Sequence, residues 1–338
     1  MTIIRNLLLT SSLIGLAACG GGGGGTVDDN AIDKITIDPP EEANRVFSTD
    51  AGDAGQALSD GQTLTARQVA MAGINLNYNS GDTAITDTSE FTVRLNGEGE
   101  VTLVLEGTET VFTPDHRDPD DDGTVYGYFT RDDCDAGVRC VSLFSYTGEI
   151  DELKSNGHGF MEILNAQSNQ ISEDGQPDLR AFAVVGTETQ DADLGSLGNA
   201  TYSGWTRFDV YPESGFVDSS ESRTRLRSDL TMTADFGDGT VSGLLNNFEA
   251  RDPGEAEYTG LLGTVTMTEA EFDVNGFKGG LVADAAFASD TGVTLDTSSA
   301  YSGAFYGPNA EEVGGVFSIS GSDDDGAFNG IGFFAGNQ

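Results

Sequence analysis

The chain has 338 residues and a formal net charge of −40, from 56 acidic side chains against 16 Lys and Arg. That length allows two domains or one large one. The acid is spread along the chain, and no basic stripe is present to neutralise phosphates, which argues strongly against a nucleic-acid partner. Solubility, a salt-rich medium or a cationic partner each fit the field.

Arg5 is the only charged side chain before Cys19. Leu7 to Ala18 form a short apolar stretch, well under the roughly 20 residues a helix needs to cross a bilayer, so residues 1–18 read as a cleavable secretion signal. Leu16-Ala17-Ala18-Cys19 resembles the bacterial lipobox, whose cysteine becomes the acylated first residue of the mature chain. That resemblance implies the lipid bilayer as a partner, reached through acyl chains on Cys19. Gly20 to Gly25 have no side chains to bury and lose much backbone entropy on folding, so residues 19–42 read as lipid anchor and flexible tether. Asp28 and Asp29 are not adjacent to the cysteine, where an Asp would resemble an inner-membrane retention signal. The expected location is therefore the outer membrane, lipid-anchored and surface-exposed.

Residues 43–190 read as a β-rich, handle-like domain. Within it, Leu64 to Met71 between Gln62 and Ala72 is the one helical candidate. Phe91 to Leu95 alternates in polarity, Glu100 to Glu106 alternates or is buried on both faces, and Asn96-Gly97 between them is a strong hairpin signal. Tyr126 to Phe129, Val141 to Tyr146, Gly159 to Leu164 and Leu179 to Val185 continue the strands, and the Asp- and Gly-rich run 190–199 marks a junction. Residues 191–338 are more regular. Ala200–Val210, Arg227–Phe236, Thr240–Ala250, Tyr258–Met267, Phe272–Ala288, Tyr301–Tyr306, Val313–Gly321 and Ala327–Phe334 read as strands, with Gly237-Asp238-Gly239 as a turn. Val313, Gly315, Phe317 and Ile319 share one face. The fold class is mainly β: a handle followed by an eight-stranded antiparallel β-barrel, which leaves no open sheet edge.

The C-terminal half resembles the barrel domain of transferrin-binding protein B-like surface lipoproteins. The resemblance rests on Tyr301-Ser-Gly-Ala-Phe-Tyr-Gly-Pro-Asn-Ala-Glu-Glu-Val-Gly-Gly-Val-Phe317 and on Gly326-Ala-Phe-Asn-Gly-Ile-Gly-Phe-Phe-Ala-Gly336. Tyr202-Ser-Gly204, the run from Asp235 to Gly243, and Phe277-Lys-Gly-Gly280 support it. Read physically, these positions are fold determinants: Gly303 and Gly307 permit close packing, Pro308 ends a strand, and Asn309 to Glu312 form a short connection of about one helical turn. The resemblance implies a handle packed beside the barrel. It also implies a receptor or binding protein for a protein or a small solute such as haem, assisting nutrient uptake beside a TonB-dependent outer-membrane receptor. The competing class is an envelope structural or adhesion lipoprotein.

No catalytic constellation stands out. His116 and His158 sit in no nucleophile-base or zinc motif and read better as exposed loop histidines, so the chain is not expected to be an enzyme. With Tyr126 they are the candidate axial ligands if haem is bound. Cys134 and Cys140, in an oxidising compartment, are expected to pair in a local disulfide. Asp118, Asp120 and Asp122 alternate before Gly123 like the start of a calcium loop, with the Thr124 carbonyl as a further ligand. Phe129 stands where an EF-hand needs Glu, and a solvated acidic hairpin weighs somewhat more than a calcium site.

Overall fold

The computed structural model describes residues 63–66, 70–86, 90–97, 100–113, 116, 128–130, 140–146, 160–169, 178–186, 188–190, 194–217, 221–273 and 275–338. Cys19, the glycine tether, Asp118, Asp120, Asp122, Thr124, Tyr126, Cys134 and His158 lie outside these residues, and of Cys140 only the backbone is described.

The first ten strands are β1 (Thr63–Thr65), β2 (Met71–Asn77), β3 (Asp82–Thr86), β4 (Phe91–Gly97), β5 (Glu100–Leu105), β6 (Thr108–Phe112), β7 (Tyr128–Thr130), β8 (Cys140–Ser145), β9 (Met161–Asn169) and β10 (Asp178–Gly186). They form a four-stranded sheet, β1-β4-β5-β6, and a six-stranded sheet, β3-β2-β10-β9-β8-β7. The Asn96-Gly97 signal lies where β4 turns into β5, with a register irregularity between Leu95 and Gly97. The helical reading of 62–72 is corrected at its two ends, where Thr63–Thr65 pair with β4 and Met71 begins a strand; residues 62 and 67–69 lie outside the described residues. The cause is tertiary. Ala72, Ile74 and Leu76 of β2 pack into one core while Met71 packs into another, a period of two that a strand buried on both faces satisfies.

The barrel half contains β11 (Asn199–Pro212), β12 (Thr224–Asp235), β13 (Thr240–Arg251), β14 (Thr259–Gly260), β15 (Val265–Asp273), β16 (Gly276–Ala283), α1 (Ala285–Thr291), β17 (Thr294–Leu295), β18 (Ala300–Tyr306), β19 (Glu312–Asp323) and β20 (Gly326–Asn337). Eight of the strands pair antiparallel in the order β11-β12-β13-β15-β16-β18-β19-β20, and β20 pairs back to β11. The result is a closed up-and-down barrel. The run 272–288 is not one strand: β16 ends at Ala283 and α1 follows, with Asp284 as N-cap and Gly292 in the left-handed conformation after its last turn.

Alternation along β11 sorts its aromatics. Tyr202 and Phe208 join the barrel interior, while Trp205 and Tyr211 join the core outside it. Likewise Val313, Phe317 and Ile319 point inward and Val316 outward. The outer core places Trp205, Tyr211, Tyr306, Val316, Ile331 and Phe333 of the barrel wall against Ile74, Tyr146, Ile163, Phe182 and Val184 of the six-stranded sheet. The opposite face of that sheet packs on Phe91, Val93, Val101, Leu103 and Phe112 of the four-stranded sheet. The six-stranded sheet is thus a filling between two layers, which is why all but the last residue of β10 are buried.

The long glycine-rich motif serves both the barrel interior and the meeting of barrel and sheet. Gly303 pairs with Gly315, and the Phe334 ring covers both; a Cβ on Gly315 would lie 2.4 Å from that ring and 2.2 Å from the Ser302 carbonyl oxygen. Gly307 has φ of 87° and makes room for Phe160, whose ring a Cβ would approach to 2.8 Å. The buried Glu312 carboxylate accepts hydrogen bonds from the Phe160 and Met161 amides at 3.0 to 3.2 Å. Between β18 and β19 the chain makes a turn rather than a helical turn, with Ala310 at φ 55° and its carbonyl accepting from Tyr202 Oη at 2.7 Å.

Candidate functional site

Two features of the barrel carry chemistry. The first is a charged joint. Asp209 of β11 is fully buried (0% exposed) on the outer wall, opposite Arg225 of β12. Arg180, projected from β10, places its guanidinium 2.8 Å from the carboxylate and donates a hydrogen bond to Tyr211 Oη at 2.9 Å. Arg207, Arg225 and Arg223 stand farther out, at 3.6, 3.8 and 4.0 Å from Asp209. Arg207 also lies over the Tyr146 ring, 4.9 Å from its centroid. Burial opposes the charge on Asp209, yet the neighbouring guanidiniums overcome it and hold the carboxyl below the usual carboxylate range. Burial likewise opposes the charge on Arg180, and Asp209 with Tyr211 and Tyr146 raises its pKa.

The joint is a device of assembly rather than a catalytic centre. It is formed by three barrel arginines and one sheet arginine around a single carboxylate, which locks the barrel wall to the six-stranded sheet. The residues come from β10, β11 and β12 and from Arg223 just before β12, and the sequence reading passed over them. A signal existed: Arg223-Thr-Arg225-Leu-Arg227 puts three arginines on one strand face of a strongly acidic chain.

The second feature is a cavity of about 370 Å³ inside one end of the barrel. Phe208, Leu226, Leu245, Phe248, Leu281 and Phe287 are among the side chains that line it. Phe208 stacks on Phe317 at 4.4 Å, and Phe248 meets Phe287 of α1 edge-on at 4.8 Å. Helix α1 is held in place as a cap. The Asp284 carboxylate accepts from the Phe287 amide at 2.7 Å and from Thr264 Oγ1 at 2.9 Å, and Asp290 accepts from the Leu262 amide at 2.8 Å. The hydrogen bond from the Phe287 amide, foremost, holds the Asp284 carboxyl below its ordinary range. Asp252, Asp323 and Asp325 border the cavity.

Of the site residues expected from sequence, only His116 has a described side chain. Its Nδ1 accepts from the Thr113 amide at 2.9 Å, and its ring meets Phe112 edge-on at 6.5 Å, so it is anchored beside the four-stranded sheet and lines neither feature. The disulfide, calcium and lipidation residues lie outside the described side chains. Among the described residues, no group of His, Cys, Asp and Glu is arranged to hold a metal, and no helix is long and apolar enough to cross a membrane.

Fold and site together define a handle-and-barrel scaffold whose barrel is hollow at one end. Residues 194–338 match the family described as the C-lobe and N-lobe beta barrels of Tf-binding protein B, so this half of the chain is similar to those barrels. A curated relative, transferrin-binding protein B of Haemophilus influenzae, is 25% identical over 148 residues, which is 41% of this chain and 22% of the relative. A solved double mutant of transferrin-binding protein B from Haemophilus parasuis aligns with 17% identity and a TM-score of 0.42, covering 80% of this chain and 45% of that one. The isotype 1 protein from serogroup B Neisseria meningitidis aligns with 16% identity and a TM-score of 0.38, covering 80% and 43%. The chain therefore spans less than half the length of each of these relatives.

Proposed function

We propose that this chain is an outer-membrane lipoprotein that displays its handle and barrel at the cell surface as a binding protein, anchored through Cys19. The observation that carries the reading is the match of residues 194–338 to the barrels of transferrin-binding protein B. The relative's name supplies the partner class: a soluble protein, with transferrin as its type. Capture at the surface would then serve nutrient uptake beside a TonB-dependent outer-membrane receptor. The closed three-layer packing supports this reading, because a rigid body can present a fixed outer surface without paying ordering costs on binding. Haem is the small-solute arm of the same proposal, with His116, His158 and Tyr126 as its candidate ligands. The acidic border of the barrel cavity would repel haem carboxylates, so haem would sit on the handle rather than in the barrel.

The test uses intact cells carrying the wild-type chain, a deletion, or Cys19→Ala. Labelled iron-loaded transferrin and haem are titrated separately, and external protease reports exposure. Saturable binding of either ligand that disappears on deletion and becomes soluble with Cys19→Ala supports the proposal. No saturable binding of either, with unchanged growth and altered envelope integrity on deletion, would favour the structural or adhesion reading.

A further inference from the structure

An eight-stranded barrel has an interior that side chains just fill or that holds one small ligand. This barrel does one at each end. Where β11 begins, Phe305 lies 5.0 to 5.8 Å from the rings of Phe236, Phe272, Phe277 and Tyr202, which leaves a packed aromatic plug. Where β11 ends, the space is open to about 370 Å³, within the range of roughly 300 to 1,000 Å³ typical of small-molecule sites. The walls at that end are mainly apolar, with Thr224, Thr259 and Thr291 among them, and α1 closes over them with both of its ends capped. The shape is therefore preformed.

Charge at the border narrows the ligand class. Asp252, Asp323 and Asp325 are exposed there, and none of the lining residues is Lys, Arg or His. Asp323 Oδ1 is engaged by the turn, accepting from the Asp325 and Gly326 amides at 2.9 and 3.1 Å. In a chain of net charge −40 a carboxylate at any border is unsurprising; the informative combination is an apolar chamber with carboxylates at its border and no cation along its walls. We infer that the barrel is a binding site for a small cationic amphiphile, with an apolar body held between Phe208, Leu226, Phe248 and Phe287 and an ammonium-type head at Asp252 and Asp325. This site is separate from any protein captured on the outer surface. It explains why one end of the barrel is left unfilled while the other is packed with rings.

The test uses the full chain carrying Cys19→Ser, made without lipid so that no detergent competes for the cavity. Dodecylammonium, dodecanol and dodecanoate are each titrated below their aggregation concentrations by calorimetry at near-physiological salt. Saturable one-to-one binding of dodecylammonium is expected, weaker binding of dodecanol, and none of dodecanoate. Asp252→Asn combined with Asp325→Asn should weaken the ammonium probe by about five- to tenfold and leave dodecanol unchanged. Leu281→Trp should abolish binding by filling the chamber. Val293→Trp, at a half-buried lining position, does the same with less risk to folding, and a cooperative thermal transition verifies each variant. Absence of saturable binding by all three probes, or undiminished binding by a folded Trp variant, overturns the site. Equal binding of dodecanol and dodecylammonium, or preference for dodecanoate, overturns the cationic class. None of these outcomes depends on whether cells bind transferrin or haem.

Discussion

The two ends of the barrel are built from the same eight strands and are stabilised in opposite ways. At one end Phe305 sits at the centre of an aromatic plug, and Tyr202 ties the β18–β19 turn to the interior through the Ala310 carbonyl. At the other, the interior is hollow, and what steadies the wall lies outside it. Asp209 stands between Phe208 and Val210, two residues that line the cavity, and its carboxylate binds that stretch of wall to Arg180 of the sheet. Helix α1 closes the same end through Asp284 and Asp290. An end that forgoes internal packing is thus braced by buried charge and capping hydrogen bonds.

The largest expected effect comes from removing that brace. Asp209→Ala leaves the surrounding arginines without their carboxylate and should cost about 3–5 kcal/mol in chemical denaturation. Hydrogen exchange should show the loss first in β11 and β12 near the cavity. The pH dependence has a definite sign, because Asp209 is held below its unfolded value. Its contribution is complete above the unfolded carboxylate pKa of about 3.9 and is lost as pH falls through the lower folded value. The stability gap between wild type and Asp209→Asn should therefore stay constant from about pH 7 to pH 5 and close only in stronger acid.

At the filled end Phe305→Ala should cost about 3–5 kcal/mol, since it removes the ring that four others touch. Leu226→Ala, at the hollow end, should fall near the bottom of the Leu→Ala range, about 2 kcal/mol, because one side of Leu226 already faces open space. Adding volume should reverse the ranking. Ala234→Leu, at a fully buried interior position, is expected to lose about 1–3 kcal/mol. Leu226→Phe has room to enter and should gain about 0.5–2 kcal/mol. Thermal and denaturant unfolding of these variants checks all four values.

Much of this barrel was legible in the sequence, because its strands alternate and its turns carry glycine. The inward face of Val313, Phe317 and Ile319 followed from a period of two, and the motif around Gly303, Gly307 and Gly315 pointed to the barrel. The missed elements have specific causes. The end of the span read as helical is strand, because Met71 and Ala72 serve two different cores. Helix α1 is only seven residues long, and its Asp284 cap was absorbed into the strand read over Phe272–Ala288. Of the two chemical features, only the arginine run of the joint, Arg223-Thr-Arg225-Leu-Arg227, left a mark in the sequence. The cavity is an absence of side chains where eight strands end, and the joint gathers Arg180 and Asp209 from positions far apart in the chain.

The most direct measurement is the location of xenon in crystals pressurised with the gas, because xenon enters apolar cavities without needing charge or a particular shape. The hollow-end account predicts xenon inside the barrel beside Leu226, Phe248 and Phe287, and none among Phe236, Phe272 and Phe305. A barrel that takes up no xenon between those first three residues, or takes it up only at the aromatic end, would contradict it.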